Sequence, residues 1–600
     1  MTGETVPDPA LEADLRTIQP LILPGGIGGA DERLFLRLSG GATVKAEAGE
    51  IALPSGARAT TDTFSNVFPA GKWIDQCALS SLYLDMRGEG TVALRVTSVD
   101  EHGTRSVLVE REVHLAEGAS VQVDIPLEPV SRPVGLLYCE IMAQDGPARL
   151  WALDWATHDA PRRMPTILAA MTTFDQTEAA LNSAERFEAF VERSPLKGLV
   201  KLLVVDNSST LDPFDLAHAS VVQSANLGGS GGFSRGLLEA RDRGFTHCIF
   251  MDDDAQIDMA MLTRVWAFLA YARDPGTAVC GGLMQGRADQ VIWENGAIFK
   301  RVCLPVSRGL DVADFDDVIQ AEYDSYLTET PSFYGGWWFF AFPTGDLEHF
   351  PFPFFVRGDD ISFSLMNRFN FVTLPGVVCQ QDVDFFDKES PRALYLDVRN
   401  HMVQHLTAPQ LLGTRGQLFW IMQFFFFRSF FMFGYDSIHA IALAMRDVVT
   451  GPERFRDAET TLARFKEIGG FTEDEKWVDE VPPARNEREL PKLVQYALIA
   501  TLNGHLVPFY GAFARHAVLD AKRRGATQYA IGASRVTLAA TGGERSMHLK
   551  MNRRKALSSA FAFWREAARL LIRHKAVSKK WEEGYPRLAS EAYWRDKHGM

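Results

Sequence analysis

The 600-residue sequence is poor in cysteine, has no long unbroken apolar run and carries no excess of positive charge, and each shortage excludes something. Its six cysteines, Cys77, Cys139, Cys248, Cys280, Cys303 and Cys379, are scattered through apolar stretches without a Cys-x-x-Cys pair. That pattern suits reduced core thiols in a cytoplasmic protein and argues against a disulfide frame or a zinc cage. The run Phe419–Phe433 is broken by Gln423 and Arg428 and falls short of the roughly 20 residues that cross a bilayer. It is expected to be a buried helix, a subunit contact or an interfacial segment, which keeps a homo-oligomer and peripheral membrane association open.

Acidic residues outnumber basic ones, 76 to 62, and the net charge of −14 excludes a general nucleic-acid binder. An acidic protein that handles a diphosphate needs a local cation or a nest of donors. The last fifty residues depart from the average, with 12 Lys/Arg against 5 Asp/Glu, a net of +7 by subtraction. They read either as a solvated helical face or as a surface drawn to anionic lipid or another polyanion. The first residues, MTGETVPDPALEADL, are polar and acidic, unlike a signal peptide.

What the sequence does have is a strand that ends in acids. In HCIFMDDD the apolar Cys248–Met251 runs into Asp252, Asp253 and Asp254. Carboxylates at the end of a strand lie at the edge where open α/β sheets bind ligands and where a divalent cation can hold a diphosphate. A solvated turn is the plainer alternative.

Length alone calls for several cores. After a loosely ordered lead-in over residues 1–30, the sequence alternates in period two from about Leu34 to Trp155, as in Ser81–Met86, Thr91–Val99 and Val121–Ile125, which predicts an antiparallel β-sandwich over residues 1–158. Trp73, Trp151 and Trp155 read as its core or interface aromatics. After the polar joint at 158–165, residues 159–400 alternate strands with helices, so an α/β domain with a mostly parallel sheet is expected. Its strands Thr166–Met171 and Lys201–Val205 lead into Thr173, Asp175 and Gln176 and into Asp206 and Asn207. A glycine cluster, Asn226 to Gly236, reads as a loop leading into a helix at Leu237–Arg243; its free amides would suit an anion or a ribose. It has neither the Lys-Ser/Thr ending of a P-loop nor dinucleotide-binding spacing. Further on, Gly335 and Gly336 precede Trp337 and Trp338, and Asp359 and Asp360 open a helix. Adjacent tryptophans on a strand face opposite ways, leaving one for a sugar ring. Helix capping accounts for one of the two acids but not both. From 401 to 600 the chain reads helical, including a long stretch near Leu490–Gln528.

The order of these motifs, TTFD, VVDNSS, NLGGSGGFSRG, FMDDDA, YGGWWFF, FVRGDDISFS, TLPG and DVRN, resembles glycosyltransferase family 2 with the GT-A fold, and more narrowly the bacterial galactan-polymerising UDP-galactofuranosyltransferases. The resemblance implies an inverting transfer from UDP-galactofuranose to a cell-surface glycan or glycolipid acceptor, in polysaccharide biosynthesis. It implies donor contacts from Thr173, Asp175, Gln176, Asn207, Asn226, Gly228, Gly229, Asp252 and Asp253. Gly336, Trp337 and Trp338 would face the acceptor, and Asp360 would be the general base with Asp359 beside it. Mn2+ or Mg2+ would sit on Asp252, Asp254 and Gln381. Two positions depart from the pattern. The family's Trp-His pair after TLPG is replaced by a stretch with Gln380, Gln381 and Asp382, with His401 as a distant substitute ligand, and Gln176 stands where the family has a UDP-contacting arginine. Another UDP- or dTDP-sugar donor and a non-catalytic carbohydrate-binding scaffold are the alternatives.

Overall fold

The computed structural model describes residues 14–25, 32–285, 290–381, 386–411 and 413–600. The described residues up to 158 build a nine-strand sheet in which every pairing is antiparallel. Two long strands, Tyr83–Asp100 and Gly135–Thr157, pair along almost their whole length. Their register slips between Arg87 and Gly88 and between Glu89 and Thr91, where a side chain on Gly88 would lie 2.2 Å from Arg149 O. Bulges of this kind let one strand bend around a core. Trp73 and Trp155 lie in that core, stacked with Phe68, whereas Trp151 is on the surface. Trp73 also meets Phe268 and Tyr271 edge-on, so the β unit shares aromatic packing with the next domain. Lys72 strengthens the junction from a buried position, with its Nζ 2.9 Å from Glu322 Oε2 and 2.6 Å from Thr373 O.

The central domain is a second sheet with helices on its faces. Ile167–Thr173 runs parallel to Val200–Asp206 on one side and to His247–Asp252 on the other. Ala219–Gln223 extends the parallel part, and Phe339–Pro343 adds antiparallel to His247–Asp252. Beyond it lie Thr277–Gln285 and Asn370–Gln381, parallel to one another. The apolar Ile167–Met171 is buried throughout, as expected of a strand covered on both faces.

From Pro391 onward the chain is mainly helical: Pro391–Thr407, Arg415–Phe431, Tyr435–Thr450, Ala458–Phe471 and Arg553–Leu588. The expected domain boundary at residue 400 falls inside the first of these. The long helix expected near Leu490–Gln528 is not formed. Only Lys492–Ala500 is α-helical there, followed by turns, short 3-10 helices and Arg515–Asp520, one strand of a three-strand sheet with Ala533–Ala539 and Ser546–Lys550. The aromatic run lies on Arg415–Phe431, which buries Leu418, Ile421, Met422, Phe425 and Phe426 and exposes Phe419, Trp420, Phe424 and Phe427. Among the described residues no helix is long and apolar enough to cross a membrane. The last helix, Glu591–His598, returns to the central domain, where Arg595 pairs with Asp242 and Glu591 with Arg241.

Candidate active site

Parallel register brings the candidate residues to one edge. Thr172 lies beside Asp252 and Thr173 beside Asp206, so three strands end together. Asp206 serves the turn that follows: its carboxylate accepts from the Ser208, Ser209 and Leu211 amides and from the Ser208 hydroxyl. Its neighbour Asn207 is buried, donates from Nδ2 to Gly228 O at 3.2 Å, and keeps an unpartnered Oδ1. Thr173 is buried, with its hydroxyl close enough to Asp253 to favour that carboxylate. Asp175 and Gln176 are exposed, the former with a left-handed backbone, the latter at the start of helix Thr177–Arg193.

The glycine cluster is not the loop expected from its composition. It is the first half of a helix, Gly228–Asp242, against the expectation that the helix begins at Leu237. Close packing outweighs the poor helix propensity of glycine here. A side chain on Gly232 would come within 2.3 Å of Thr172 Cγ2, one on Gly236 within 2.3 Å of Ala170 Cβ, and one on Gly228 within 2.1 Å of Phe355 O. The helix therefore lies directly against the strand that ends at Thr173. Asn226 prepares its start by accepting from the Gly228 amide at 3.1 Å.

Asp359 and Asp360 open helix Asp359–Met366 after a strained approach in which Phe355, Arg357 and Gly358 all have positive φ. Strain of this kind persists only where the surroundings enforce it. Helix Pro391–Thr407 does so. Asp397 holds Arg357 through both carboxylate oxygens, Asn400 Nδ2 donates to Val356 O and Arg357 O, and Gln404 Nε2 donates to Gly358 O at 2.7 Å. Arg399 Nη2 donates to Phe354 O. The DVRN motif thus sets the backbone beneath the acid pair.

The electrostatics follow from burial. Asp252 is pushed well above the ordinary carboxylate range by desolvation and then by Asp254, Asp253 and Asp359, and desolvation raises Asp253 to about 6. Asp359 and Asp360 are both raised by burial, and the charge of Asp359 raises Asp360 further. A carboxyl so raised is suited to accept a proton near neutral pH. Glu294 also belongs to the site. Buried, with an unpartnered Oε1, it is raised to about 8 by desolvation and then by Asp360. Nothing in the sequence marks it, because WEN offers only a lone acid on a short strand.

Trp337 and Trp338 sit in a turn, not on a strand, and their environments differ. Trp337 is buried in a cage of Phe233, Phe250 and Phe363, all edge-on, and so has no face open to a sugar. Trp338 is half-buried; its indole lies over Gly336, where a side chain would come within 2.2 Å of the ring, and its Nε1 donates to Gly281 O at 2.9 Å. Trp338 O also receives the Cys379 thiol, itself close enough to Asp252 and Asp254 to feel their charge.

Gln381 donates from Nε2 to Asp254 Oδ2 at 2.5 Å, and Lys388 Nζ is 3.8 Å from the same oxygen. Asp382 lies outside the described residues. His401 is buried between the Phe299 and Phe425 rings, with Nδ1 on Asp397 O, and burial lowers its pKa. Among the described residues no group of three or more His, Cys, Asp or Glu is arranged to hold a metal ion.

Relatives in sequence cover most of the chain. Over 581 residues the sequence is 22% identical to galactofuranosyltransferase GlfT2 of Mycobacterium tuberculosis, with 89% of each chain covered. It is 23% identical over 588 residues to the protein of that name from Mycolicibacterium smegmatis, covering 89% of this chain and 87% of the other. Both relatives are named galactofuranosyltransferases. The resemblance carried by the ordered motifs is borne out by them. No family model matches the sequence. Among solved structures, glucosyl-3-phosphoglycerate synthase from Mycobacterium tuberculosis in complex with phosphoglyceric acid aligns with 40% of this chain and 78% of its own at 14% identity, with a TM-score of 0.24, too weak a likeness to bear on the fold.

Proposed function

We propose that the chain is an inverting glycosyltransferase that transfers galactofuranose from UDP-galactofuranose to a glycan or glycolipid acceptor of the cell surface. One observation carries the reading: the acids that end strand His247–Asp252 and the acid pair that opens helix Asp359–Met366 share one sheet edge, close enough for Asp359 to act on Asp252. On this reading residues 1–158 are a β-sandwich, 159–400 a GT-A domain and 401–600 a mainly helical domain. The exposed aromatic face of helix Arg415–Phe431 suits a subunit or membrane contact in the cytoplasm.

Asp360 takes the proton from an acceptor hydroxyl as that oxygen attacks the anomeric carbon in line. The new glycosidic bond forms as the bond to the diphosphate breaks, and UDP leaves with the bonding pair. Asp359 keeps Asp360 basic through its neighbouring charge. Asn207, Asn226, Thr173, Gly228 and Gly229 line the donor edge, with the free Oδ1 of Asn207 available to the nucleoside. Trp338 over Gly336 supplies the face for the acceptor. Asp252 and Asp254 fit a hard divalent cation, since their crowding is relieved by positive charge, and would hold Mn2+ or Mg2+ together with water. When bound, that ion supplies Lewis-acid stabilisation of the departing diphosphate. Gln381 does not fit as a ligand in its observed orientation, because its amide nitrogen faces the carboxylate.

Gln176 supports a second reading, a UDP- or dTDP-linked donor other than galactofuranose, because the resemblance calls for an arginine there. Incubating purified protein with a lipid-linked galactose acceptor and each donor in turn, and measuring released UDP or dTDP, distinguishes the two. Release from UDP-galactofuranose alone supports the first reading. Bound UDP with no release from any donor points to a carbohydrate-binding scaffold.

A further inference from the structure

A cavity of about 360 Å³ lies at the junction of the β unit and the central domain, large enough for a small ligand. Helix Ala70–Cys77 lines it with Lys72 and Gln76, the 3-10 helix Ser325–Glu329 with Tyr326 and Thr328, and strand Asn370–Gln381 with Asn370 and Phe371. Two elements of the wall also reach the acid edge. Strand Asn370–Gln381 lines the cavity with its first residues and meets Asp254 with its last, and helix Asp359–Met366 opens on the acid pair and turns Ser364 to the cavity. None of Asp252, Asp254, Asp359 and Asp360 lines it, so the cavity is a separate space.

The lining selects against charged ligands. Lys72 and Arg368 stand against Asp75 and Glu329, and Lys72 is itself paired with Glu322 and Arg368 with Glu348. A phosphate or a polycation finds no excess of opposite charge there. What the wall offers is neutral hydrogen bonding, from the hydroxyls of Thr328 and Thr330 and the amides of Gln76, Asn370 and Gln410. Lys72 adds a donor from a buried position: its ammonium has three N–H groups and, among the described residues, meets two acceptors, Glu322 Oε2 and Thr373 O. Glu322, 3% exposed, keeps an unpartnered Oε1 beside it. Aromatic surface comes from Tyr326, Phe369 and Phe371, all part-exposed. Aromatic faces among neutral donors and acceptors suit a sugar, whose ring has apolar C–H faces and a rim of hydroxyls.

We infer that this junction cavity is a second carbohydrate site, which takes a short segment of a neutral oligosaccharide apart from the acid edge. Tyr326 supplies the stacking face, and Lys72 and Thr328 supply hydrogen bonds to the sugar hydroxyls. The choice of a galactofuranosyl chain as its ligand rests on the proposed transfer; the site itself rests on the cavity and its lining.

The test is hydrogen exchange of the full chain, read by mass spectrometry, with a galactofuranosyl tetrasaccharide, with cellotetraose and with neither. Wild type, Tyr326→Ala and Tyr326→Phe are compared, with thermal unfolding of each as a check on folding. In wild type the galactofuranosyl chain is expected to slow exchange at least about threefold over residues 325–330 and 367–373, which line the cavity. Tyr326→Ala is expected to lose that protection and Tyr326→Phe to keep it, while all three unfold alike. No protection of these segments in wild type by either sugar, or protection undiminished in Tyr326→Ala, overturns the second site. Protection by cellotetraose alone keeps the site and overturns its tie to galactofuranose. Protection by the galactofuranosyl chain in a preparation that releases no UDP from UDP-galactofuranose keeps the site and overturns the proposed transfer.

Discussion

The Ser230 hydroxyl donates a 3.0 Å hydrogen bond to Asp359 Oδ2 across 129 residues of sequence. This bond joins the glycine helix, whose start lines the donor edge, to the acid pair assigned to proton transfer. Ser230 is fully buried and its amide also donates to Phe355 O. The two halves of the site are therefore held as one unit before any ligand arrives, as preorganised catalysis requires.

The coupling of the acids sets the pH dependence. Burial raises Asp360 first and the charge of Asp359 raises it further. A general base works deprotonated, so activity falls as pH drops through the pKa of the pair. Asp359→Asn removes the like charge, lowers the pKa of Asp360, and is expected to move the acidic limb of the kcat/KM profile down by about half a unit to one unit. A profile measured from pH 5 to 9 checks this; an unmoved limb would show that Asp360 does not limit that side.

The two tryptophans are expected to separate cleanly. Trp337→Ala empties a cage of three phenylalanines and should cost about 3 to 5 kcal/mol in denaturant unfolding. Trp338→Ala, at a half-buried position, should cost less stability than Trp337→Ala, about 1 to 2 kcal/mol, and raise the acceptor KM by about tenfold with little effect on kcat. Steady-state kinetics with varied acceptor, alongside unfolding curves, decides the assignment.

Glycine in the Gly228–Asp242 helix is there for closeness, and substitution tests it. Gly236→Ala places a methyl 2.3 Å from Ala170 Cβ and is expected to destabilise by about 1 to 3 kcal/mol. Gly470, exposed in helix Ala458–Phe471 with nothing within 4 Å of an added Cβ, is the matched control. Gly470→Ala should be stabilising by about 0.5 to 1 kcal/mol.

Those glycines also show what a sequence conceals. The strand and acids of HCIFMDDD were legible because an apolar run that stops at charge has few other structures available, and the parallel neighbours ending at Thr173 and Asp206 were legible for the same reason. The helix beginning at Gly228 was not, since its stability comes from a strand more than fifty residues earlier pressing on bare backbone. Adjacent tryptophans look equivalent in sequence; the phenylalanines that surround Trp337 come from three separate segments. Glu294 carries no local signal, because its raised pKa arises from burial and from Asp360. DVRN was recognisable as a motif, but its work, holding the backbone of Val356 to Gly358, appears only when helix Pro391–Thr407 is in place. The sheet strand Arg515–Asp520 was hidden by flanking residues that are equally acceptable in a helix.

The central claim is that Asp360 takes the proton from the acceptor. Its most direct test is Asp360→Asn, with UDP release from UDP-galactofuranose and acceptor measured together with equilibrium UDP binding. The account predicts that release falls by about 100-fold or more while UDP affinity stays within about twofold of wild type. Undiminished release, or a parallel loss of release and of UDP affinity, would contradict it.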